Sequence, residues 1–89
     1  AAMAAKPFPA EWGLTKLEAA YLTALRPGAV VSIEAFKALH ETAVPDARVR
    51  KVIASVRRKL DPFNIEINTK WGEGWILDRA ARARLNSLM

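Results

Sequence analysis

The spacing of apolar residues changes near Leu60, and that change limits the folds this chain can adopt. Before Leu60, apolar residues recur every three or four positions, as in an α-helix, whereas from Ile65 they alternate with polar residues, as in a β-strand. Asp61-Pro62 marks the boundary, because proline cannot continue a helical hydrogen-bond ladder. The sequence therefore predicts an α+β fold in which a three-helix core is followed by a β-hairpin and an additional C-terminal helix.

Three helices are predicted before this boundary. Each has a polar residue at its start that can cap free backbone N–H groups: Thr15, Ser32 and Asp46. Each is followed by a proline that limits its length: Pro27, Pro45 and Pro62. Thr15 also forms a capping box with Glu18, and the second helix is expected to end near Glu41. The third helix is expected to run through Leu60.

The third helix is strongly amphipathic. At about 100° per residue, its apolar residues crowd one side, and the opposite side carries Ala47, Lys51, Ala54 and Arg58. We expect nine side chains from the three helices and the hairpin to be buried together: Leu17, Tyr21, Phe36, Leu39, Val49, Ile53, Val56, Leu60 and Trp75.

The last third of the chain predicts a strand over residues 65–69, a turn over 70–74 and a returning strand over 75–77. Asp78 is expected to cap a final helix that begins at Arg79 and ends near Leu88.

The chain is thus expected to divide into three parts. Residues 1–13, which include Pro7 and Pro9, are predicted to form a flexible arm, 14–77 the main domain and 78–89 the C-terminal helix. No apolar run approaches the roughly 20 residues that cross a bilayer, and no secretory signal is visible. A cytoplasmic protein without membrane contact is expected.

The residue types exclude several common kinds of catalytic and metal site. The chain has no cysteine, which removes disulfides, thiolate zinc sites and cysteine nucleophiles, and its single histidine cannot build a histidine metal cluster. His40 is instead interpreted as a packing residue at a helix end. We therefore expect no enzyme, no metal and no cofactor.

The charge points to a polyanionic partner. Fourteen Lys and Arg against nine Asp and Glu give a net charge of +5. Six of these cations fall within twelve residues of the third helix: Arg48, Arg50, Lys51, Arg57, Arg58 and Lys59. A short second helix followed closely by a cationic third helix is the order of a helix-turn-helix, whose second helix enters the major groove of double-stranded DNA. The hairpin that follows would be the wing of a winged helix.

This arrangement predicts two groups of DNA-contacting residues. Base edges are expected to be read by Arg50, Lys51, Ser55 and Arg58. The DNA backbone is expected to be held by Arg48, Arg57, Lys59, Lys70 and Trp71, together with Ser32 and Ile33 at the start of the second helix. Trp71 has two interpretations, packing within the hairpin or stacking on a sugar.

Four stretches occur in a fixed order along the chain: Leu14-Thr15-Lys16-Leu17-Glu18, Val30-Val31-Ser32, Val56-Arg57-Arg58-Lys59-Leu60 and Gly72-Glu73-Gly74-Trp75. Together, from Leu14 to Leu77, they resemble the OmpR/PhoB-type winged-helix DNA-binding domain. The resemblance implies that the third helix reads the major groove and that the wing touches the minor groove or the backbone. It also implies a bacterial or phage transcription regulator, with RNA polymerase as a further partner of the loop after His40.

The chain also departs from that family. Such domains usually follow a phosphorylatable receiver domain, for which 89 residues leave no room, so no phosphorylation switch is expected. Trp71 stands where the wing often has an arginine.

A single helix and wing read too few base pairs to find one site in a genome, so two copies are expected to cooperate on DNA. Leu85 and Leu88 have no evident place in the three-helix core. The terminal helix is therefore expected to join the copies as a homodimer, unless it packs on its own domain. A second hypothesis for the whole chain is a winged-helix assembly subunit whose basic face binds an acidic protein.

Overall fold

The computed structural model describes residues 8–88, which form an α+β fold of four α-helices and a two-stranded antiparallel hairpin. The helices are α1 (Lys16–Leu25), α2 (Ile33–Lys37), α3 (Asp46–Leu60) and α4 (Arg79–Leu88), and the strands are β1 (Asn68–Lys70) and β2 (Gly74–Ile76). Two short 3₁₀ turns, Ala10–Trp12 and Asp61–Phe63, precede α1 and follow α3. This element order is compatible with a winged helix.

The helix starts follow the predicted caps, with one exception. Thr15 and Glu18 form the predicted capping box, and the Ser32 hydroxyl accepts a hydrogen bond from the backbone N–H of Ala35. Asp46 was expected to cap α3, but it is the first residue of that helix and Pro45 occupies the cap position. The Asp46 carboxylate instead lies 2.5 Å from the Lys37 ammonium and ties α2 to α3.

Helix α2 ends at Lys37, four residues before the predicted end near Glu41. The backbone N–H groups of Leu39 and His40 donate to the carbonyls three residues earlier, so the chain tightens into turns. This tightening alters the direction of the following side chains. Leu39, which was expected in the core, is therefore 38% exposed.

The core is otherwise largely as predicted. Seven of the nine expected side chains are buried: Tyr21, Phe36, Val49, Ile53, Val56, Leu60 and Trp75. Leu17 is half-buried and packs against the cluster. The Tyr21 and Phe36 rings stack with their centroids 4.4 Å apart, and Phe36 meets Trp75 edge-on at 5.7 Å. This aromatic chain connects α1 and α2 with the hairpin.

The hairpin is shorter than the predicted strands. Its ladder pairs Asn68 with Ile76 and Lys70 with Gly74. Residues 65–67 have no strand partner within residues 8–88, because the chain beyond Ile76 turns into α4. Ile65 and Ile67 are nonetheless buried on either side of an exposed residue, as the period of two predicted.

A second pairing fixes the hairpin to the rest of the domain. Val31 and Trp75 exchange two backbone hydrogen bonds, at 2.8 and 3.0 Å. Gly74, with φ of +147°, lies so close to this segment that a Cβ atom would be 2.1 Å from the Val31 carbonyl oxygen. Only glycine fits there, so the hairpin is held against the helices at a set position.

Part of the predicted N-terminal arm is ordered against the core. Trp12 is 5% exposed, and its indole stacks with the rings of both Phe8 and Phe63. Residues 8–13 are therefore packed against the core and do not form a flexible arm. Burial of the large apolar surface of the indole stabilises this packing. The remaining seven residues of the predicted arm lie outside the described part of the chain.

Helix α4 packs on its own domain. Ala81 and Leu85 are buried in the core and Leu88 packs against it, so the premise that Leu85 and Leu88 lack a place there is wrong. Arg82 and Arg84 donate hydrogen bonds to the carbonyls of Leu77 and Phe63. The apolar face of α4 is therefore occupied within one copy, and homodimer formation through that face loses its main support.

This packing predicts that Leu85→Ala destabilises the monomer. Loss of a buried leucine typically lowers the free energy of unfolding by about 2–5 kcal/mol. Urea unfolding monitored by circular dichroism measures the change, with Ser87→Ala on the exposed side of the same helix as control. An unchanged urea midpoint for Leu85→Ala would contradict the placement of α4 in the core.

Candidate nucleic-acid interface

One face of α3 is open to solvent and rich in positive charge. Its exposed residues are Ala47, Arg48, Arg50, Lys51, Ala54 and Arg58, while the apolar residues of the helix are buried beneath it. Between Ala47 and Leu60 the sequence contains no acidic residue. The two sides of α3 are thus separated as the sequence periodicity predicts.

The cations of α3 divide into two groups. Among residues 8–88, the side chains of Arg48, Arg50, Lys51 and Arg58 make no hydrogen bond or salt bridge. We call these four the free cations. The other two cations of α3 are held by the protein itself, as is Ser55.

Ser55 and Lys59 lie one turn apart on the flank of α3 that meets α1. The Ser55 hydroxyl donates to Glu18 Oε2 at 2.5 Å, and the Lys59 ammonium lies 2.6 Å from Glu18 Oε1 and 2.9 Å from the carbonyl oxygen of Gly13. This flank was expected to face DNA. Because both side chains are engaged with α1 and the segment before it, we remove Ser55 from the base-reading group and Lys59 from the backbone-binding group.

Glu18 is the buried centre of this contact, with an exposure of 6%. Burial alone raises the pKa of its carboxyl group, but hydrogen bonds from Lys59, Ser55 and the Thr15 backbone, with the Lys59 charge, outweigh it and lower the pKa from 4.5 to about 2. The sequence predicted only the capping box. The contacts of Glu18 with α3 required the tertiary structure, because they join residues about 40 positions apart.

The lowered pKa predicts a loss of stability in acid. Since the folded-state pKa lies below the unfolded value, ionised Glu18 stabilises the fold above about pH 4.5, and this contribution disappears as the pH falls toward 2. Glu18→Gln should lower the free energy of unfolding at neutral pH by about 1–3 kcal/mol and flatten this acid dependence.

Urea midpoints measured across the acid range test this expectation. Glu11→Gln serves as the control, because Glu11 is exposed and its carboxylate accepts no hydrogen bond among the described residues. Equal acid sensitivity in wild type and Glu18→Gln would contradict the role of Glu18.

Arg57 lies on the opposite flank of α3 and holds the hairpin. Its Nε and Nη2 atoms donate to the Ile67 carbonyl oxygen at 3.1 and 2.8 Å, and Nη2 also donates to Thr69 Oγ1 at 2.8 Å. Arg57 was expected to hold the DNA backbone, and no feature of the sequence predicts this contact with the hairpin. The guanidinium sets the spacing between α3 and β1, and so shapes the surface between them.

That surface is a cleft of about 550 Å³ between the start of α2, α3 and the hairpin. Its walls include six residues that the sequence assigned to DNA: Ser32, Ile33, Arg50, Arg57, Lys70 and Trp71. Glu73 is the acidic residue of the lining. The tertiary structure thus brings together residues that are almost forty positions apart in the chain, and joins the exposed face of α3 to the hairpin turn.

Trp71 stands at the hairpin turn and is 90% exposed. The turn is closed by a hydrogen bond from the Glu73 backbone N–H to the Lys70 carbonyl, with Gly72 at φ of +82°. The other two tryptophans of the chain, Trp12 and Trp75, are buried. Of the two interpretations of Trp71, packing within the hairpin is therefore wrong.

His40 lies away from the cleft. Its Nε2 atom and the Tyr21 hydroxyl are hydrogen-bonded at 2.5 Å, with the rings edge-on, so His40 packs at the end of the α2 turn as predicted. Burial raises the pKa of Tyr21, an effect that the nearby positive charge of Arg48 partly opposes. Together with the Lys37–Asp46 ion pair, this contact positions α2 against α1 and α3.

Comparison with protein-family models, curated proteins and solved structures finds no match to this chain. Within residues 8–88, none of the helices combines the length and apolar character of a bilayer span. In the same part of the chain, no three acidic or histidine side chains are grouped so that they could hold a metal ion.

Proposed function

We propose that this chain is a winged-helix protein that binds double-stranded DNA in a sequence-specific manner, as a small transcription regulator. In this proposal α3 enters the major groove and the hairpin is the wing. The observation that carries it is the set of free cations on the exposed face of α3, which is continuous with the cleft below the hairpin. The resemblance to OmpR/PhoB-type domains supports the same function.

The shape of the exposed face suits a groove. An α-helix with its side chains is about 10–12 Å across, and the major groove is about 12 Å wide. Ala47 and Ala54 are exposed and small, so the backbone of α3 can approach base edges closely. Lys51 and Arg58 extend from the same face and reach further into the groove.

Backbone contacts are assigned to the edges of this face. Arg48 lies on one edge of α3, and Arg50 and Lys70 line the cleft on the other. Trp71 beside Lys70 offers an aromatic surface for a deoxyribose. Ser32 and Ile33 line the same cleft, so a phosphate strand within it would pass their backbone. Arg57 and Lys59 are held internally, and Arg50, which was expected to read base edges, joins the backbone group because it lines the cleft. Three cations then neutralise phosphates, Arg48, Arg50 and Lys70, instead of the four expected.

This count predicts the salt dependence of binding. At about −0.9 per neutralised phosphate, three contacts give a slope of about −3 for log K against log salt concentration on duplex DNA. Lys70→Gln should reduce the slope by about one, whereas Lys16→Gln, a change of the same charge on α1, should leave it unchanged. Fluorescence anisotropy of a labelled duplex measures both.

A slope near zero would contradict the electrostatic account. It would favour the second hypothesis, in which the same basic face binds an acidic protein, because protein association need not release condensed counterions.

The exposure of Trp71 predicts a fluorescence change on binding. Because Trp12 and Trp75 are buried, the solvent-sensitive part of the emission comes from Trp71. Duplex DNA should quench or blue-shift this emission in the wild type but not in Trp71→Phe. Trp71→Ala should weaken binding about fivefold, the equivalent of about 1 kcal/mol. Unchanged emission at saturating duplex would remove Trp71 from the interface.

A further inference from the structure

Three residues form a single line along the exposed face of α3. Lys51, Ala54 and Arg58 are separated by three and then four positions, so they follow one another down the same side of the helix over two turns. All three are exposed, and the two cations have no partner among residues 8–88. We call them the α3 triad.

The other polar side chains in the middle and last turns of α3 do not lie on the same line as the α3 triad. Ser55 and Lys59 are bound to Glu18 on one flank, and Arg57 is bound to Ile67 on the other. Arg50 lies toward the cleft, where the DNA backbone is assigned. After Ala47 in the first turn, the central line of α3 therefore presents a cation, a methyl group and a second cation.

The helix of a zinc finger shows that residues about three positions apart can contact successive bases in the major groove. Arginine and lysine prefer the O6 and N7 acceptors of guanine, and an alanine methyl group contacts the C5-methyl of thymine. We propose, as an extension of the proposed function, that the α3 triad reads three successive base pairs: a G·C pair, an A·T pair whose thymine methyl faces Ala54, and a second G·C pair.

The two cations of the α3 triad differ in how selectively they recognise a base pair. The Arg58 guanidinium donates two parallel hydrogen bonds that match guanine O6 and N7, whereas the Lys51 ammonium is a point charge on a flexible chain. The base pair opposite Arg58 is therefore the most selective of the three. The central base pair depends on one methyl contact and is the least selective.

The test replaces single atoms in the DNA. A duplex selected from a randomised pool supplies the site. At each guanine 7-deazaguanine removes the N7 acceptor, and at the central pair deoxyuridine removes the thymine methyl without changing base pairing. For the wild type, we expect about tenfold weaker binding with 7-deazaguanine opposite Arg58 and about threefold weaker binding with deoxyuridine.

Each loss should depend on one side chain. Arg58→Ala should bind the 7-deazaguanine and guanine duplexes equally, and Ala54→Gly should bind the deoxyuridine and thymidine duplexes equally. Because glycine weakens a helix, Ala83→Gly on the exposed side of α4 is the matched control and should retain the threefold preference for thymidine. The difference between paired duplexes is independent of how much protein is folded.

The outcomes separate this inference from the function on which it rests. Selective binding that tolerates both base analogues, or losses that persist in Arg58→Ala and Ala54→Gly, would overturn the α3 triad and leave DNA binding intact. Failure to enrich any duplex above the random pool would overturn both.

Discussion

The buried carboxylate of Glu18 joins the two helices on which this structure depends. One oxygen caps α1 through Thr15 and also meets Lys59, and the other accepts the Ser55 hydroxyl. A carboxylate at 6% exposure is stable only with such partners, so α3 can rotate little about its axis without leaving a buried charge unsatisfied. The orientation of α3 decides which of its cations face solvent.

The opposite flank of α3 is held by a different contact. Arg57 reaches Ile67 and Thr69, and the hairpin is in turn paired with Val31 next to Gly74. These bonds give the hairpin a defined distance from α3 and leave the cleft between them. The wing of the proposed DNA complex is thus positioned before any partner binds, which reduces the ordering cost of association.

Some of the charge on α3 therefore supports the fold, and composition cannot separate it from the charge that the proposed DNA complex would use. Six cations lie in twelve residues, yet Arg57 and Lys59 support the fold. Counting every cation of α3 as a contact of the proposed DNA complex would overestimate its phosphate contacts. Ser55, which was also expected to face DNA, is engaged with Glu18 through its hydroxyl. The surface left for the proposed DNA complex is smaller. On it, two free cations are assigned to phosphates, Arg48 and Arg50, and two to base edges, Lys51 and Arg58.

The sequence by itself determined the local features: the capping box at Thr15, the boundary at Asp61, the buried side of α3 and the period-two burial of Ile65 and Ile67. These depend on interactions within a few residues. Only the tertiary structure decided which flank of α3 meets α1, that Leu85 has a place in the core, and that α2 ends early enough to expose Leu39. Periodicity separates the buried side of a helix from the exposed side. It does not separate the polar residues on the two flanks from those on the exposed side, because all of them are polar. The role of each flank residue depends on a contact with a residue far away in the sequence.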